Sequence, residues 1–285
     1  MKKIITEHFG KAFCDKAMEY LKIYTECWQL DSIQLIHYFS INLLFRCHSS
    51  LYGDCVLKIG SPMCTEIIEE INTLTDYNGR GYCKLYAVDR DTGVLLIELV
   101  APGNTLPVED SIKNFAELYN GLHIDPIHEY PTYLDWIEVG IKNIAALDGY
   151  DHLRVSINKA KKLYYEIAAE YTDMKLLHGD LHHENILRGI DGYKIVDPKG
   201  VVGSHVFDVS RFILCQFNDD LSSAPIAEIV KFINKLAEAI NIPAVILKKC
   251  LYIETNVWVC REEGWDYEDD CGSLENNIKI AENLT

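Results

Sequence analysis

Three polar residues have types and spacing that fit one kind of chemistry: Asp180, Asn185 and Asp197, within HGDLHHENILRGIDGYKIVDPKG from His178 to Gly200. Ile186 to Arg188 and Tyr193 to Val196 are short apolar-rich runs, and Gly189-Ile190-Asp191-Gly192 between them supplies turn chemistry, which predicts a hairpin. Folding it brings Asn185, just before the first strand, near Asp197, just after the second. Two oxygen ligands so placed suit a hard cation such as Mg²⁺, which takes one or two carboxylates together with substrate phosphates. Asp180 lies on the preceding loop, free to take a proton. The plain alternative gives the three unrelated duties: a turn cap, a backbone partner and a strand end. His178, His182 and His183 lack the orderly spacing and fourth ligand that zinc wants, and read as loop residues supporting the site.

Phosphoryl transfer asks for such a set, because the protein contributes little covalent chemistry; it holds metal ions, screens phosphate charge and orients the attacking hydroxyl. His178-x-Asp180-x-x-x-x-Asn185 has the spacing of the kinase catalytic loop. Gly179 stands where protein kinases carry Arg, and Asp197-Pro198-Lys199 where they carry Asp-Phe-Gly. On HGDLHHENIL and the following VDPKGVVG, the chain resembles the aminoglycoside phosphotransferases, most of all the branch with streptomycin 6-kinase and the hydroxyurea-type resistance kinases. The resemblance implies an α+β, bilobal protein-kinase-like fold over nearly the whole chain. A small N-terminal lobe would carry an antiparallel five-stranded sheet plus helices, and a larger C-terminal lobe would be mostly helical. The activity implied is an ATP-dependent phosphotransferase with an alcohol group as acceptor, on an aminoglycoside-like molecule for which streptomycin is one candidate. Asp180 is then the general base, and Asn185 and Asp197 the Mg²⁺ ligands.

The elements that must position these residues follow in order. Phe13, Ala17, Leu21 and Tyr24 recur at helical spacing within 6–31 and predict helices with one apolar face, covering the back of a sheet. The runs Gln34 to Phe39, Leu43 to His48 and Cys55 to Ile59 predict strands, the last two joined through Leu51-Tyr52-Gly53-Asp54. Ser40-Ile41-Asn42 is then the loop over the phosphates. It has no glycine, so Ser40 and Asn42 are the donors it offers. Lys58 falls on the strand face opposite its apolar neighbours, where an ammonium bridges the α and β phosphates if a carboxylate holds it. Ser61-Pro62 opens a helix as cap and first residue. Ile67, Ile71 and Leu74 form its buried stripe, and Glu66 and Glu70 stand one turn apart. The family pattern selects Glu70 as the partner of Lys58, with Glu66 second, and leaves Glu69 to solvate the helix. Cys83 to Val88 and Val94 to Leu99 predict two more strands, leading into Glu98-Leu99-Val100-Ala101-Pro102-Gly103. In the family, adenine bonds to backbone at such a hinge, which assigns Glu98 C=O and Val100 N–H. The division expected is 1–99 for the nucleotide lobe, 98–103 for the hinge and 104–285 for the catalytic and substrate lobe.

After Leu106 the pattern is mainly helical: Val108 to Asn120, stopped at Gly121, another helix through about Leu147, and a third from near Arg154 to Tyr171 on Ala160, Leu163, Ile167 and Tyr171. Phe207-Asp208-Val209-Ser210-Arg211 resembles the family segment whose Asp braces the catalytic loop. Asp208 is therefore expected to receive backbone N–H bonds near His178 and Gly179. Helices follow from about Ala224 to Ile240 and from Pro243 to Cys260. On the last, Glu254, Trp258 and Glu262 share a face, with further acids behind them. Guanidinium or ammonium groups of a cationic acceptor would find partners there, with Glu254 and Glu262 the most exposed. A solvated acidic tail is the other reading of that cluster. Lys199 has no firm role.

The 285 residues, 48% hydrophobic, are enough for two lobes with full cores. A formal charge of −16 repels phosphate backbones and anionic lipid, which argues against nucleic-acid or membrane partners. No run approaches a membrane span, and MKKIITEHFGKAF lacks the apolar stretch of a secretory signal. Ten cysteines without any C-x-x-C pair read as reduced thiols of a cytoplasmic protein. Two other functions stay open: a kinase of another hydroxylated metabolite (choline, homoserine or methylthioribose-like), and a nucleotide-binding scaffold without transfer. The sequence leaves monomer or dimer open.

Overall fold

The computed structural model describes residues 1–36, 42–60, 66–109, 111–258, 260–261 and 267–285, with side chains in the last stretch from 273 onward. In chain order the elements are α1 (Lys2–Phe9), α2 (Lys11–Cys27), β1 (Leu30–Leu35), β2 (Leu43–Ser49), β3 (Gly53–Ile59), α3 (Ile67–Tyr77), β4 (Leu85–Asp89) and β5 (Val94–Glu98). There follow α4 (Ser111–Tyr119), α5 (Tyr133–Ala145), α6 (Asp151–Glu170), β6 (Lys175–Leu177), β7 (Ile186–Gly189), β8 (Gly192–Ile195) and β9 (Val201–Gly203). The chain ends with α7 (Ser210–Cys215), α8 (Ile226–Ile240), α9 (Ala244–Val257) and α10 (Tyr267–Leu284). Among the described residues no helix is long and apolar enough to cross a membrane.

The chain divides into two compact units, Met1–Asn104 with Leu187–Lys199, and Thr105–Ile186 with Gly200–Thr285. In the first, an antiparallel sheet runs in the order β1-β2-β3-β5-β4. Its register sets Phe45 opposite Leu57 and Leu57 opposite Leu96. Strand side chains alternate between faces, so Leu43, Phe45, Cys47, Cys55, Leu57, Ile59, Val94 and Leu96 gather on one side. The stripe Phe13, Ala17, Leu21 and Tyr24 of α2 closes over them. Lys58 is left to the other side by the same alternation.

The first strand differs from expectation. The apolar run at 34–39 predicts it there, but it forms at Leu30–Leu35. Gln29 takes a positive φ of 51° after α2 ends at Cys27, and the chain reverses at once to set Leu30 opposite Ser49. A register shift between Asp31 and Gln34 hides the alternation. Ser40, and the predicted cap at Ser61-Pro62, lie outside the described residues. The fourth strand starts at Leu85 rather than Cys83, because the Cys83 N–H goes to the carbonyl of Ile195.

That bond belongs to a wider difference: the 187–199 hairpin groups with the first unit, not with the residues after 104. Backbone bonding is the reason. Ile195 N–H donates to Gly81 O, Gly103 N–H to Arg188 O and Arg188 N–H to Asn104 O, so both hairpin strands are tied to the 81–104 region.

The second unit is helical, apart from the short antiparallel pair β6 and β9. Leu153, Ile157, Ala160, Leu163 and Ile167 give α6 its buried stripe, and it packs on α5 and α9. α5 starts with a capping box, Thr132 Oγ1 accepting the Asp135 N–H and Asp135 the Thr132 N–H. On α9 every residue from Cys250 to Val257 is buried, so this helix has no solvent face over its last two turns.

Candidate active site

Each unit assembles its own charged cluster. In the first, α3 brings Glu70 to Lys58: Nζ lies 2.6 Å from Oε2. Asp197, just past the hairpin, accepts a second bond from Nζ. Lys58 and Glu70 are each 3% exposed, whereas the Asp197 side chain is 41% exposed. Burial opposes the ammonium, but the carboxylates of Asp197 and Glu70 outweigh it and push the pKa of Lys58 up, so it stays charged. Burial also pushes the Glu70 carboxyl up to about 7 against the pull of Lys58, and its Oε1 is buried without a partner. Asp197 holds φ at 56°, a left-handed conformation uncommon outside glycine. Glu66 pairs with Lys199 at 3.0 Å.

Of the other residues expected around a nucleotide, Asn42 is buried just before β2. The Glu98 side chain is gripped by Lys194 Nζ at 2.5 and 2.6 Å and by the Lys84 N–H at 3.0 Å. Val100 is buried and faces Gly189.

In the second unit, the loop after β6 is fixed from beneath. Asp208, in the 3₁₀ turn His205–Val209, accepts the His178 N–H on Oδ2 at 3.0 Å and the Gly179 N–H on Oδ1 at 2.8 Å, as expected. His123 Nε2 stands 3.0 Å from the same Oδ2. Burial works against the Asp208 carboxylate, yet His123, His178 and the backbone donors hold its pKa down. Gly179 has φ 81°, and a Cβ there would run into the ring of Trp136. That is the physical reason for glycine at this position. His178 Nδ1 accepts the Asp180 N–H at 3.0 Å, and the Asp180 carbonyl accepts from Asn185 Nδ2 at 3.0 Å.

The Asp180 carboxylate is 7% exposed and already engaged. Arg211 Nε donates to Oδ1 at 3.0 Å, and His182 Nε2 lies 3.6 Å from the same oxygen. Burial would raise its pKa, but His182, Arg211 and His178 hold it well below the usual carboxylate range. Arg211 is itself held, meeting Asp219 at 3.1 and 3.4 Å and lying 3.7 Å over the ring of Trp258. Its three-residue spacing from Asp208 was the one signal in the sequence, since a helical turn sets both side chains toward one loop.

Glu254 corrects an expectation. Instead of an exposed carboxylate for a cationic ligand, it is 5% exposed on the enclosed end of α9, where Oε2 accepts from Tyr133 Oη at 2.5 Å. Burial pushes its carboxyl up despite Arg211 and Arg261 nearby. Trp258 is half-buried, with Arg261 4.9 Å from its ring in addition to Arg211. Glu262 lies outside the described residues.

Solved structures with this fold include a choline kinase from Streptococcus pneumoniae, with TM-score 0.68, 15% identity, and 94% of this chain and 98% of that one covered. An aminoglycoside phosphotransferase solved with ADP and hygromycin B gives TM-score 0.63 at 12% identity, over 92% of this chain and 97% of that one. Both are protein-kinase-like, α+β structures, in keeping with the five-stranded antiparallel sheet and the helical unit. A streptomycin 3''-kinase from Klebsiella pneumoniae is 47% identical over 47 residues, a match spanning 16% of this chain and 16% of that relative's length. The model of the aminoglycoside/hydroxyurea antibiotic resistance kinases matches residues 52–263, and the chain belongs to that kinase family.

Proposed function

We propose that the protein transfers the γ-phosphoryl group of ATP to a hydroxyl of a small, aminoglycoside-like molecule. The observation that carries this reading is the loop clamped by Asp208, which holds Asp180 and Asn185 bonded to one another through the Asp180 carbonyl. A carboxylate kept ionised at pH 7 and buried beside Arg211 is suited to receive the hydrogen bond of an acceptor hydroxyl and align its oxygen for attack. Its low pKa makes orientation the larger part of its work, with the proton passing to it late in transfer.

For the donor, Lys58 is a charged ammonium fixed by Glu70, matching the group that neutralises α and β phosphates. Residues 98–103 serve as the adenine edge and as the connection between lobes, with Glu98 C=O and Val100 N–H as partners and Asn42 toward the phosphates. A neighbour of the same fold solved with ADP, and another with AMP, support a nucleotide in this role. By residue type Asp197 and Asn185 would be the ligands of Mg²⁺: a carboxylate, 41% exposed, in the first unit, and in the second the amide Oδ1 of Asn185, whose Nδ2 donates to the Asp180 carbonyl. Such an ion, once bound, offsets negative charge on the transferred group.

The acceptor class is tested by incubating the protein with Mg-ATP and streptomycin, hygromycin B or choline and following ADP. Release with an aminoglycoside is the expected result; no release above background with any hydroxylated compound overturns the reading. A second reading, another hydroxylated metabolite as acceptor, is favoured by one feature: Arg211 and Arg261 already lie against Trp258, where a substrate guanidinium would stack.

A further inference from the structure

We propose that Arg211 is a positioning residue for phosphoryl transfer: by pinning Oδ1 of Asp180 it leaves Oδ2 as the oxygen that receives the acceptor hydroxyl. The inference rests on the reading of Asp180 given above and adds a residue to it. Arg211 Nε donates to Oδ1 at 3.0 Å. A carboxylate has two oxygens and free rotation about its last torsion, and one directed donor removes that freedom. The donor is immobile in turn, because Nη1 and Nη2 bond the two Asp219 oxygens at 3.1 and 3.4 Å and the guanidinium plane rests 3.7 Å from Trp258. A planar fork can bind two carboxylates along its edges while its flat face lies on an indole, a geometry that the round ammonium of a lysine does not reproduce.

The location strengthens the argument. Asp208 and Arg211 are three residues apart where the 3₁₀ turn His205–Val209 runs into α7. Asp208 fixes the loop by its backbone at 178 and 179, and Arg211 fixes the next residue by its side chain. One short segment therefore determines both where the loop lies and how Asp180 is rotated. Arg211 is 5% exposed and Asp180 7%, so the bond between them is sheltered from bulk water, whereas the Asp219 side chain at the other end of the fork is half-exposed. Misplacing a reacting group by about 1 Å costs on the order of 100-fold in rate, and that is the size of effect expected from freeing the carboxylate.

The test is a double-variant cycle. Arg211→Met, Arg211→Lys, Asp180→Asn and Asp180→Asn/Arg211→Met are assayed for kcat and for KM of acceptor and nucleotide, with folding followed by circular dichroism. Arg211→Met is expected to lower kcat about 100-fold with KM for nucleotide unchanged, and Arg211→Lys to recover only part of it. The double variant should be no slower than Asp180→Asn alone, because Arg211 acts through that carboxylate. Losses that multiply, or a folded Arg211→Met with unaltered kcat, overturn the proposal. If Arg211→Met does not fold, Asp219→Asn loosens the other end of the fork, and an unaltered kcat in that variant overturns the proposal as well. Full activity in Asp180→Asn would instead remove the reading of Asp180 itself, so the two failures are distinguishable.

Discussion

The two charged clusters are inverses of one another. In the first unit a buried cation, Lys58, sits between two carboxylates; in the second a buried carboxylate, Asp180, sits beside Arg211 and His182. Both are arrangements in which desolvation of the central charge is offset by two neighbours. They differ in their balance of charge. Around Lys58 the surplus is negative, two carboxylates to one ammonium, with the Asp197 side chain 41% exposed. Around Asp180, among the described residues, Arg211 and His182 both reach the same oxygen, Oδ1. One cluster is thus suited to cations and a phosphate chain bridged by them, the other to one directed hydrogen bond from a neutral hydroxyl.

Breaking the second cluster should have the largest effect. Asp180→Asn keeps the shape and removes the charge, and kcat is expected to fall about 1,000-fold, with Mg-ADP affinity by calorimetry unchanged. A parallel loss of nucleotide affinity would merge the two clusters into one function and end the contrast. Lys58→Met should act in the opposite sense, on nucleotide binding and on stability. Removing one partner of a buried pair costs about 3–5 kcal/mol, and here the size depends on pH. Glu70, with its folded pKa raised to about 7, contributes stability fully below its unfolded value and loses it as pH rises through 7. Without Lys58 that loss deepens. Urea melts should find Lys58→Met much nearer to wild type at pH 5.5 than at pH 8.5; equal deficits at both would mean that Glu70 does not titrate there.

Much of both clusters was legible from spacing. Strand alternation places Lys58, a helical turn offers Glu66 and Glu70, and a short local motif gives Asp180 and Asn185, whereas the choice of Glu70 and the role of Asp208, 30 residues beyond His178, came from the family resemblance. What was hidden depended on partners distant in sequence. Lys194 meets Glu98 from 96 residues away, and Tyr133 meets Glu254 across 121. Glu254 in particular carries a helical pattern compatible with an exposed face, and it is enclosed by the helices packed around α9, with Tyr133 of α5 on its carboxylate. The backbone partners of the hairpin were hidden for a related reason. Its strands are evident in sequence, but which backbone they bond to is not.

Two smaller effects sharpen the contrast within the second unit. Asp208→Asn retains one acceptor for two buried N–H groups, and leaving a buried donor unmet costs about 1–3 kcal/mol. Because the Asp208 pKa is depressed in the fold, its contribution is present above the unfolded value near 4 and is lost as pH falls through the folded one. Urea midpoints between pH 3 and 7 should therefore fall less steeply on the acid side for the variant than for wild type. An identical acid slope would assign that dependence to other carboxylates.

Gly179→Ala is the smallest perturbation and the most local. A φ of 81° is a left-handed conformation that costs an L-residue about 1–2 kcal/mol, and the new methyl also meets Trp136. Trp136 cannot move away freely, since Arg261 lies 3.6 Å over its ring and the capping box fixes the start of α5. The loop must therefore give, which strains the bonds from 178 and 179 to Asp208. A drop of a few degrees in Tm should accompany a kcat loss smaller than that of Arg211→Met, with the affinity for Mg-ADP as it was. If kcat holds while Tm drops, the backbone of the loop has slack that the carboxylate of Asp180 does not share, and its rotation by Arg211 becomes the tighter of the two constraints.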